Sequence, residues 1–595
     1  MKSIERDDHF YQFGPFCLDE SERVLLRDGR LVPLPPKAFS TLLALVLSGG
    51  HLVEKDILME RVWPDEFVEE SNLAQHIFLL RKALGETVEN AKYIETVPRR
   101  GYRFVAPVSE RPKEFAEVAN NVSERITPKK DTNERLVDVQ SIAVLPFEPL
   151  GAAPQDEYLG LGIADALITR LSNLKQVKVR PTSAVRNAVK NDAISAGRAL
   201  KVATVLEGTI QKWDEYIRVT VQLVSIQDGA TLWAERFDEK FTNIFAIEDS
   251  ISEQVAAALT VKLTVQEHEQ LVKRYTDNTQ AHQAYLRGRY FYEKRTQEGI
   301  TKSIEYFELA IRTDPYHAAA HAGLAESYCS LPVFDLLPPK SAMPRAKEAA
   351  LKALSLEPNL AEAHAALGQS LLNDWEWAAV EKEFKRAIEL NANYATAHHY
   401  YAVYLRHMRR FDESLTESRK AQELDPTSAN LKAAEAGTLY CAAHYDEAIE
   451  ELRRAFELDA NNPIAHYWMG RIYVQKAVYE AAITEFERSF SVLGKSPELL
   501  AHLGYVYAVS GRREAAQKVL DELEESSNKD YVPSCYRAIV YAGLDQKEQA
   551  FEWLEKAYQE HDLNLIPLAV DPTLNSLRED PRFTRLLQLT GLPQE

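Results

Sequence analysis

Small and large apolar residues alternate with polar ones at a fixed period through the C-terminal half of the chain. Three series of mostly small residues are spaced 34 apart: Ala353, Ala387, Ala421, Ala455 and Ser489; Ala363, Ala397, Leu431, Ala465 and Leu499; Ala448, Ala482, Ala516 and Ala550. A repeat of this length predicts stacked antiparallel helix pairs, a solenoid. Small residues mark where two helices approach closely, and Leu356, Leu390, Leu424 and Leu458 are expected to pack against the next pair.

Eight such helix pairs fit between about residues 281 and 564, with a proline-rich insertion at 333–344 lengthening the second. The tail at 571–589 predicts a capping helix. Because no single pair buries its own apolar face, stacking must supply the core. We expect an all-α solenoid from 276 to 595 with one long concave surface.

The N-terminal block has a different pattern, with short strands at both ends and helices between. Apolar periodicity predicts helices at 36–47, 55–63 and 71–84, the last with Leu73, Ile77, Leu80 and Leu84 on one inward stripe. Two strands, 93–97 and 102–105, follow and are joined by a turn that contains Arg99 and Arg100. Three helices and a basic-tipped hairpin predict a winged helix-turn-helix over residues 1–109.

A helix with that inward stripe turns the other residues toward DNA. The candidate contacts to double-stranded DNA are Ser71, Asn72, Gln75, Phe78, Leu79, Arg81 and Lys82 on the helix, with Asn72 and Arg81 on its flanks, and Arg99, Arg100 and Arg103 on the wing. Gln75 suits a bidentate contact to adenine, and Phe78 or Leu79 suits a thymine methyl group. The wing arginines suit phosphate contacts or the minor groove.

Charge is distributed as such an interface requires. Residues 1–109 hold 14 Lys/Arg against 17 Asp/Glu, a net of −3, yet residues 71–105 hold 6 against 3, a net of +3. The whole chain carries −19, which excludes a molecule that coats nucleic acid over its entire surface. The same balance predicts a basic or neutral ligand for the solenoid.

A polar, charge-mixed linker at 110–139 separates this block from a third pattern. Strand patterns at 141–147, 202–209 and 216–226 and helical periodicity at 159–174 predict a small α/β domain, which with a connecting helix extends over 140–275. Its Gly160-Leu161-Gly162 opens a helix after a strand, but Asp165 stands where a dinucleotide loop needs its third glycine.

No motif indicates an enzyme, a cofactor or a metal site. The four cysteines are far apart, without metal-ligand spacing. The longest apolar run, 42–47, is far short of the ~20 residues that span a bilayer, and no signal-peptide pattern opens the chain. The expectation is a cytoplasmic protein without a membrane partner.

Three resemblances sharpen this interpretation. YQFGPFCLD, NLAQHIFLLRKALG and YIETVPRRGYRF resemble the OmpR/PhoB-type winged helix, which implies transcription regulation. SIAVLPFE, GLGIADALITRL and LWAERFDEKF resemble the TolB-like domain, and the 34-residue pattern resembles tetratricopeptide repeats, which bind proteins or peptides. CadC-like regulators have a similar N-terminal winged helix followed by a transmembrane helix, and the absence of that helix here implies a cytosolic signal.

One departure from the family pattern keeps other interpretations open. Relatives often have arginines where Phe78 and Leu79 stand. An acidic loop lies where relatives contact RNA polymerase, and it nominates Asp65, Glu66, Glu69 and Glu70 and favours activation. The leading hypothesis is a multidomain α+β, sequence-specific transcription regulator with a protein or peptide partner and with self-association left open. The alternatives are a scaffold that uses its winged helix for protein contact, or an enzyme hidden in the middle domain.

Overall fold

A computed structural model provides the structure of this protein. It describes residues 10–19, 24–27, 30–32, 34, 36–62, 73, 76–77, 80–81, 83–86, 93–97, 100–111, 141–150, 156–188, 192–259, 261, 263–271, 273–334, 336–494, 496–528 and 531–594. The chain divides into two compact units, Met1–Arg135 and Leu136–Glu595.

An antiparallel sheet opens the N-terminal unit. Its strands run in the order β4-β3-β2-β1-β8, and they are β1 Phe10–Phe13, β2 Phe16–Asp19, β3 Val24–Arg27, β4 Arg30–Val32 and β8 Ser109–Arg111. The last strand returns to pair with the first, with Tyr11 opposite Glu110. The expected domain boundary at residue 109 therefore falls within a strand, and the first residues assigned to the linker belong to this sheet.

The predicted winged helix-turn-helix is confirmed. Helix α1 spans Pro36–Val46 and α2 spans Lys55–Val62, each ending one residue before its predicted end. Described residues of the third helix include the apolar stripe, and all four of its members are at most 4% exposed: Leu73, Ile77, Leu80 and Leu84. The stripe is core, as its spacing predicted.

The wing is a three-stranded antiparallel sheet in the order β5-β7-β6, from β5 Leu52–Glu54, β6 Ile94–Val97 and β7 Gly101–Phe104. Gly101 is required at the start of β7 because a Cβ there would lie 2.0 Å from the Val53 carbonyl oxygen. The close approach of two backbones, rather than a turn conformation, selects glycine at this position.

The second unit begins with a mixed sheet whose order is β11-β9-β12-β13-β14, with β10 beside β12. Its strands are β9 Ser141–Val144, β10 Glu148–Pro149, β11 Lys178–Val179, β12 Thr204–Trp213, β13 Tyr216–Ser225 and β14 Thr231–Lys240. The sequence pattern did not predict β14. Most of its residues are exposed, because it is an edge strand, so it lacks a clean apolar alternation.

Helices of this middle domain are α3 Tyr158–Leu171, α4 Thr182–Ala188, α5 Ala193–Ala199, α6 Ile244–Ala258 and α7 Val265–Leu271. The glycines at the start of α3 serve packing. A Cβ on Gly160 would lie 2.1 Å from the Phe147 carbonyl oxygen, and one on Gly162 would lie 3.1 Å from Leu286 Cβ in the solenoid. Close packing, against a backbone carbonyl at Gly160 and against a solenoid side chain at Gly162, accounts for both glycines without a phosphate ligand.

Eight helix pairs form the solenoid in the described part of residues 279–560, as predicted. Helices A and B of repeats 1 to 8 are Thr279–Glu293 and Gln297–Thr313, Ala318–Ser330 and Pro339–Leu356, Ala361–Leu371 and Trp377–Leu390, Ala395–His407 and Phe411–Leu424, Ala429–Cys441 and Tyr445–Leu458, Pro463–Gln475 and Tyr479–Leu493, Pro497–Val509 and Arg513–Ser527, Ser534–Gly543 and Lys547–Glu560.

The small residues of the repeat lie where helices meet. Ala353, Ala387, Ala421 and Ala455 are fully buried. Buried phenylalanines occupy the space that glycines leave: a Cβ on Gly288 or Gly323 would lie 2.6 or 2.5 Å from Phe307. The leucine series is less uniform than expected, because Leu424 is 6% exposed but Leu458 is 45% exposed. The difference follows from the middle domain, which covers the turn after Leu424.

The C-terminal end differs from the predicted single capping helix. Two 3-10 turns, Leu563–Ala569 and Pro572–Leu577, precede a helix at Pro581–Thr590. We call residues 563–577 the tail segment. Prolines at 567 and 572 prevent a regular helix there, since proline lacks the amide donor that helical hydrogen bonds need.

Removal of β8 should destabilise the N-terminal unit. A fragment of residues 1–114 should unfold cooperatively with heat, and one of residues 1–108 should be less stable by about 0.6–3 kcal/mol, from roughly 0.2–1 kcal/mol for each of the three lost cross-strand pairs. Calorimetry of both fragments measures the difference. Equal stabilities would show that β8 adds nothing to this unit.

Candidate DNA interface and solenoid surfaces

The third helix and the wing are held together by two charged side chains. Arg81 Nη2 donates to the Ile94 carbonyl oxygen and to Thr96 Oγ1, both at 2.8 Å. Glu86, just beyond the helix, accepts from the amides of Tyr93 at 2.6 Å and Ile94 at 3.1 Å. These bonds fix the end of the helix against β6, so that helix and wing form one surface.

Arg81 therefore has a different place from the one expected. The sequence pattern places Arg81 on the DNA-facing flank of the helix, but its side chain is buried at 7% exposure, and its guanidinium lies 3.8 Å from Glu86. A guanidinium enclosed by its own domain does not reach a phosphate. Helical spacing predicted the wrong direction for Arg81 because this residue lies at the edge of the apolar stripe, where acceptors on β6 hold its side chain inward.

The described wing arginines are exposed. The Arg100 side chain is 66% exposed and lies 3.9 Å from Glu54, and the Arg103 side chain is 42% exposed and lies 3.5 Å from Glu95. Ion pairs in water are worth little, so a phosphate can replace either carboxylate at small cost. Both side chains are thus available on the surface that the wing presents.

The other site residues named from the sequence lie outside the described residues. On the third helix these are Ser71, Asn72, Gln75, Phe78, Leu79 and Lys82; on the wing, Arg99; and in the acidic loop, Asp65, Glu66, Glu69 and Glu70.

A second set of contacts, which the sequence analysis missed, joins the middle domain to the turns between repeats. Polar residues end helix B of successive repeats at a spacing of 34: Glu357, Asn391, Asp425 and Asp459. Glu357 pairs with Lys273, and Asn391 donates to Ser172 Oγ at 3.0 Å. Asp425 accepts a hydrogen bond from Ser183 Oγ at 2.7 Å. The 34-residue spacing of these polar residues could have revealed the contact in the sequence, because a row of polar turns can hold a docked domain.

Asn393 binds the loop that follows α3 from the solenoid side. Its buried amide nitrogen faces the carbonyl oxygens of Ser172 at 2.9 Å and Val177 at 3.0 Å. A buried backbone carbonyl needs a hydrogen-bond donor, and here the donor comes from another domain. This geometry sets the position of α3 on repeats 3 and 4.

Arg180 reaches across the same seam. It donates to the carbonyl oxygens of Leu200 at 2.8 Å and Lys201 at 2.8 Å in its own domain, and to those of Glu423 and, at 3.1 Å, Leu424 in the solenoid. Burial lowers the pKa of this guanidinium. Four carbonyls around one cation fix the turn after repeat 4.

A buried ionic network closes the seam at repeat 1. Arg289 Nε donates to Asp165 at 2.8 Å, and its Nη1 donates to Glu326 at 3.0 Å. Tyr394 OH donates to the other Glu326 oxygen at 2.7 Å, and burial raises the pKa of that carboxyl. Asp165, the residue that broke the dinucleotide pattern, is thus a docking residue.

The tail segment lies against the inner side of the solenoid. Arg409 Nη1 donates to the Ala569 carbonyl oxygen at 3.2 Å, and Arg471 Nη2 donates to Asp571 Oδ1 at 2.6 Å. Repeats 3, 4, 6 and 8 all contact this segment or the turn before it. Distant repeats meet one short segment only if the solenoid curves around it, so the expected open concave surface is partly filled by the chain itself.

Helix Pro581–Thr590 returns to repeat 3. Trp377 Nε1 donates to the Thr590 carbonyl oxygen at 2.8 Å, and His561 Nδ1 lies 2.8 Å from the Asn373 carbonyl oxygen. Trp375 stacks between Tyr558 and His561, with ring centroids 5.0 and 4.7 Å away. The C-terminal end therefore closes on repeat 3 rather than capping only repeat 8.

Within the described residues, no cluster of three or more His, Cys, Asp or Glu side chains has the geometry of a metal site. A search of that same part of the chain found no helix with the length and apolar character needed to cross a membrane.

Three parts of the chain match known families. Residues 29–104 match the C-terminal domain of transcriptional regulatory proteins, residues 138–254 match the second domain of HilA/YgeH-like transcriptional regulators, and residues 444–477 match a TPR repeat. The chain thus combines a winged-helix domain of transcriptional regulators, a HilA-like second domain and tetratricopeptide repeats.

Individual relatives agree with this composition. Transcriptional regulator HilA of Salmonella typhimurium is 26% identical over 413 residues, which cover 68% of each chain. Transcriptional activator CadC of Escherichia coli is 28% identical over 22% of this chain and 27% of its own. The solved DNA-binding domain of E. coli CadC is 28% identical, covers 18% of this chain and all of its own, and has a TM-score of 0.17.

One similarity points elsewhere but is partial. Putative adenylate cyclase 3 of Rhizobium meliloti is 32% identical over 187 residues, which are 31% of this chain and 32% of the relative. The chain therefore spans about a third of that relative's length.

Substitutions of Arg81 and of Arg103 should have opposite effects on the stability of the N-terminal unit and on DNA binding. Arg81→Met removes a buried guanidinium and the hydrogen bonds that it donates to β6, and it should destabilise the N-terminal unit by about 3 kcal/mol, the usual result of breaking a buried pair. Arg103→Met removes an exposed charge and should change stability by less than about 1 kcal/mol but weaken binding to DNA. Thermal unfolding and DNA titration of both variants measure this. A stable Arg81→Met protein with weakened DNA binding would return Arg81 to the interface.

Proposed function

We propose that this protein is a sequence-specific, DNA-binding transcription regulator whose repeats bind a protein or peptide partner. The homology to HilA and CadC supports DNA-binding regulation. The observation that carries the proposal is the winged helix itself, with its stripe buried and with Arg100 and Arg103 exposed on the wing.

In this proposal, the wing supplies affinity for DNA and the third helix supplies sequence selectivity. Arg99, Arg100 and Arg103 contact phosphates and supply affinity that falls with salt. Ser71, Asn72, Gln75 and Lys82 face the major groove, where Gln75 pairs with adenine and Phe78 or Leu79 touches a thymine methyl. Arg81 is withdrawn from this set because its guanidinium is buried.

The solenoid receives the signal. Its polar ladder to the middle domain, through Asn391, Asn393 and Asp425, supports a single receiving body rather than two independent modules. A partner that reshapes the repeats would move the middle domain with them. We further propose that the protein acts in the cytoplasm, activates transcription and contacts RNA polymerase through Asp65, Glu66, Glu69 and Glu70, with self-association as one route of coupling.

A scaffold that uses its winged helix for protein contact is the second candidate. The apolar pair Phe78 and Leu79 favours it, since relatives often have arginine there. Selection of bound sequences from random DNA with residues 1–114 separates the two. An enriched motif excludes the pure scaffold, and absence of any motif at low salt excludes the regulator.

Wing and helix variants should separate affinity from selectivity. Arg99→Ala with Arg100→Ala should weaken binding to every DNA sequence and reduce the salt dependence by about one to two units of slope. Gln75→Ala should relax preference at one base position and cost about 1–3 kcal/mol on the best site. Titrations on matched and mismatched sites at several salt concentrations test both. A wing variant that loses selectivity at an unchanged salt slope would reverse the assignment.

Occupancy of the solenoid should alter DNA binding. The operator affinity of the full chain should differ from that of residues 1–114, and it should change again when a partner captured on residues 140–595 is added. That longer bait keeps the docked middle domain, which a fragment of repeats alone would lack. Equal affinity throughout, with an unaltered oligomeric state, would leave the repeats as an independent scaffold.

A further inference from the structure

The inner side of repeats 4 to 6 holds more positive than negative charge. Arg406, Arg471 and Arg578 all interact electrostatically with Asp571 of the tail segment. The other nearby carboxyl belongs to Glu498, which is buried, and burial raises its pKa. One carboxylate of the tail therefore serves several guanidinium groups.

Arg406 is the cation left without a counter-ion. Its side chain is 9% exposed, and no carboxylate in the described part of the chain lies within 4 Å of it. Its recorded contacts are the His407 ring nitrogen at 3.5 Å and the face of Trp468 at 5.5 Å. Arginine does not lose its proton in proteins, so burial here leaves a charge that needs an anion.

Arg471, in contrast, has an anion as its partner, the carboxylate of Asp571. It pairs with Asp571 at 2.6 Å and lies 4.9 Å from the centre of the same Trp468 ring. Since both guanidiniums flank one indole, they are at most about 10 Å apart. Two neighbouring acidic residues of one peptide can span that distance.

Gly437 in repeat 5 makes room for this arrangement. A Cβ on it would lie 2.6 Å from the Trp468 ring and 2.8 Å from Arg406 Nη1. The site is thus built from three successive repeats: Arg406 of repeat 4, Gly437 of repeat 5, and Trp468 with Arg471 of repeat 6.

The tail segment fills the groove incompletely. A cavity of about 170 Å³ lies between repeats 3 and 4 and the first turn of the segment, and its lining includes Tyr404, His407, Leu563, Ile566 and Pro567. This pocket is partly open to solvent. The unmatched charge of Arg406 indicates an occupant that a ligand with a second carboxylate can displace.

We propose that this groove, where Arg406 and Arg471 flank Trp468, binds an acidic peptide segment of a partner protein in competition with the chain's own tail segment. A peptide with two neighbouring carboxylates matches both guanidiniums, whereas the tail matches one. The proposal rests on the partner-binding role proposed above for the solenoid, and it replaces the basic or neutral ligand expected from net charge, because local charge decides a buried contact.

A series of three peptides tests the proposal. All copy residues 563–577: one unaltered, one with Asp571→Asn and one with Pro572→Asp, so that they carry one, zero and two carboxylates. The receptor is the full chain with Asp571→Asn, because a tethered competitor acts at roughly millimolar effective concentration. Asparagine keeps the oxygen that accepts from the Thr573 amide at 2.9 Å.

Fluorescence anisotropy should give affinities in the order two, one and zero carboxylates, with about tenfold per step, or roughly 1.4 kcal/mol. Arg406→Met in this receptor should remove the preference for two carboxylates over one but keep that for one over zero. Arg453→Met, which removes an exposed charge from the outer face of repeat 5, is the matched control and should change neither preference.

Two further readouts exclude a merely structural role. Arg406→Met should unfold at the same temperature as the parent or higher, because it removes an unpaired buried charge. In the unaltered full chain, the two-carboxylate peptide should raise hydrogen exchange of residues 563–577. Equal binding of all three peptides, retention of the preference by Arg406→Met, or binding without exposure of the tail would overturn the proposal.

Operator binding of the same protein preparations separates this inference from the proposed function. Loss of the peptide preference with intact DNA binding would overturn the acidic-peptide proposal and leave the proposed regulatory function standing. An intact peptide preference without any DNA binding would overturn the proposed regulatory function and leave the acidic-peptide proposal standing.

Discussion

Each helix pair of the solenoid presents an apolar face that only a neighbour can cover, and this constraint organises the second unit. Ala353, Ala387 and their equivalents are fully buried because adjacent helices close on them. Such stacking has no natural end. The chain resolves this at one side by docking the middle domain on the inter-repeat turns, and at the other by folding residues 563–590 back onto repeats 3 to 6.

Buried ions determine where these docked parts sit. Apolar surfaces tolerate small shifts, but Arg180, Arg289 and Arg471 each need their acceptors at fixed positions, because an unpaired charge away from water is costly. The middle domain therefore follows the curvature of repeats 1 to 4, and the tail follows that of repeats 4 to 6. A ligand that alters curvature acts on both contacts, which gives the repeats a physical route to their neighbours.

The N-terminal unit uses the same device on a smaller scale. Arg81 and Glu86 join the third helix to β6, so the surface proposed to face DNA is set by a buried pair behind it. Arg100 and Arg103, in contrast, hold only exposed partners and can exchange them for phosphate. Burial thus separates arginines that hold the domain together from arginines suited to a ligand.

The sequence alone determined the order of the domains, the eight helix pairs and the inward stripe of the third helix, because these depend on local periodicity, which is written in consecutive residues. It did not determine the partners of charged side chains. Arg81 and Asp571 lie in patterns that suited DNA and a cap, and Asp165 interrupts the pattern of a cofactor loop, yet each is held by an element outside its own helix or turn. Tertiary structure alone decided these roles, because the pairing of a buried charge depends on which backbone or carboxylate the fold brings beside it, and no spacing along the chain records that.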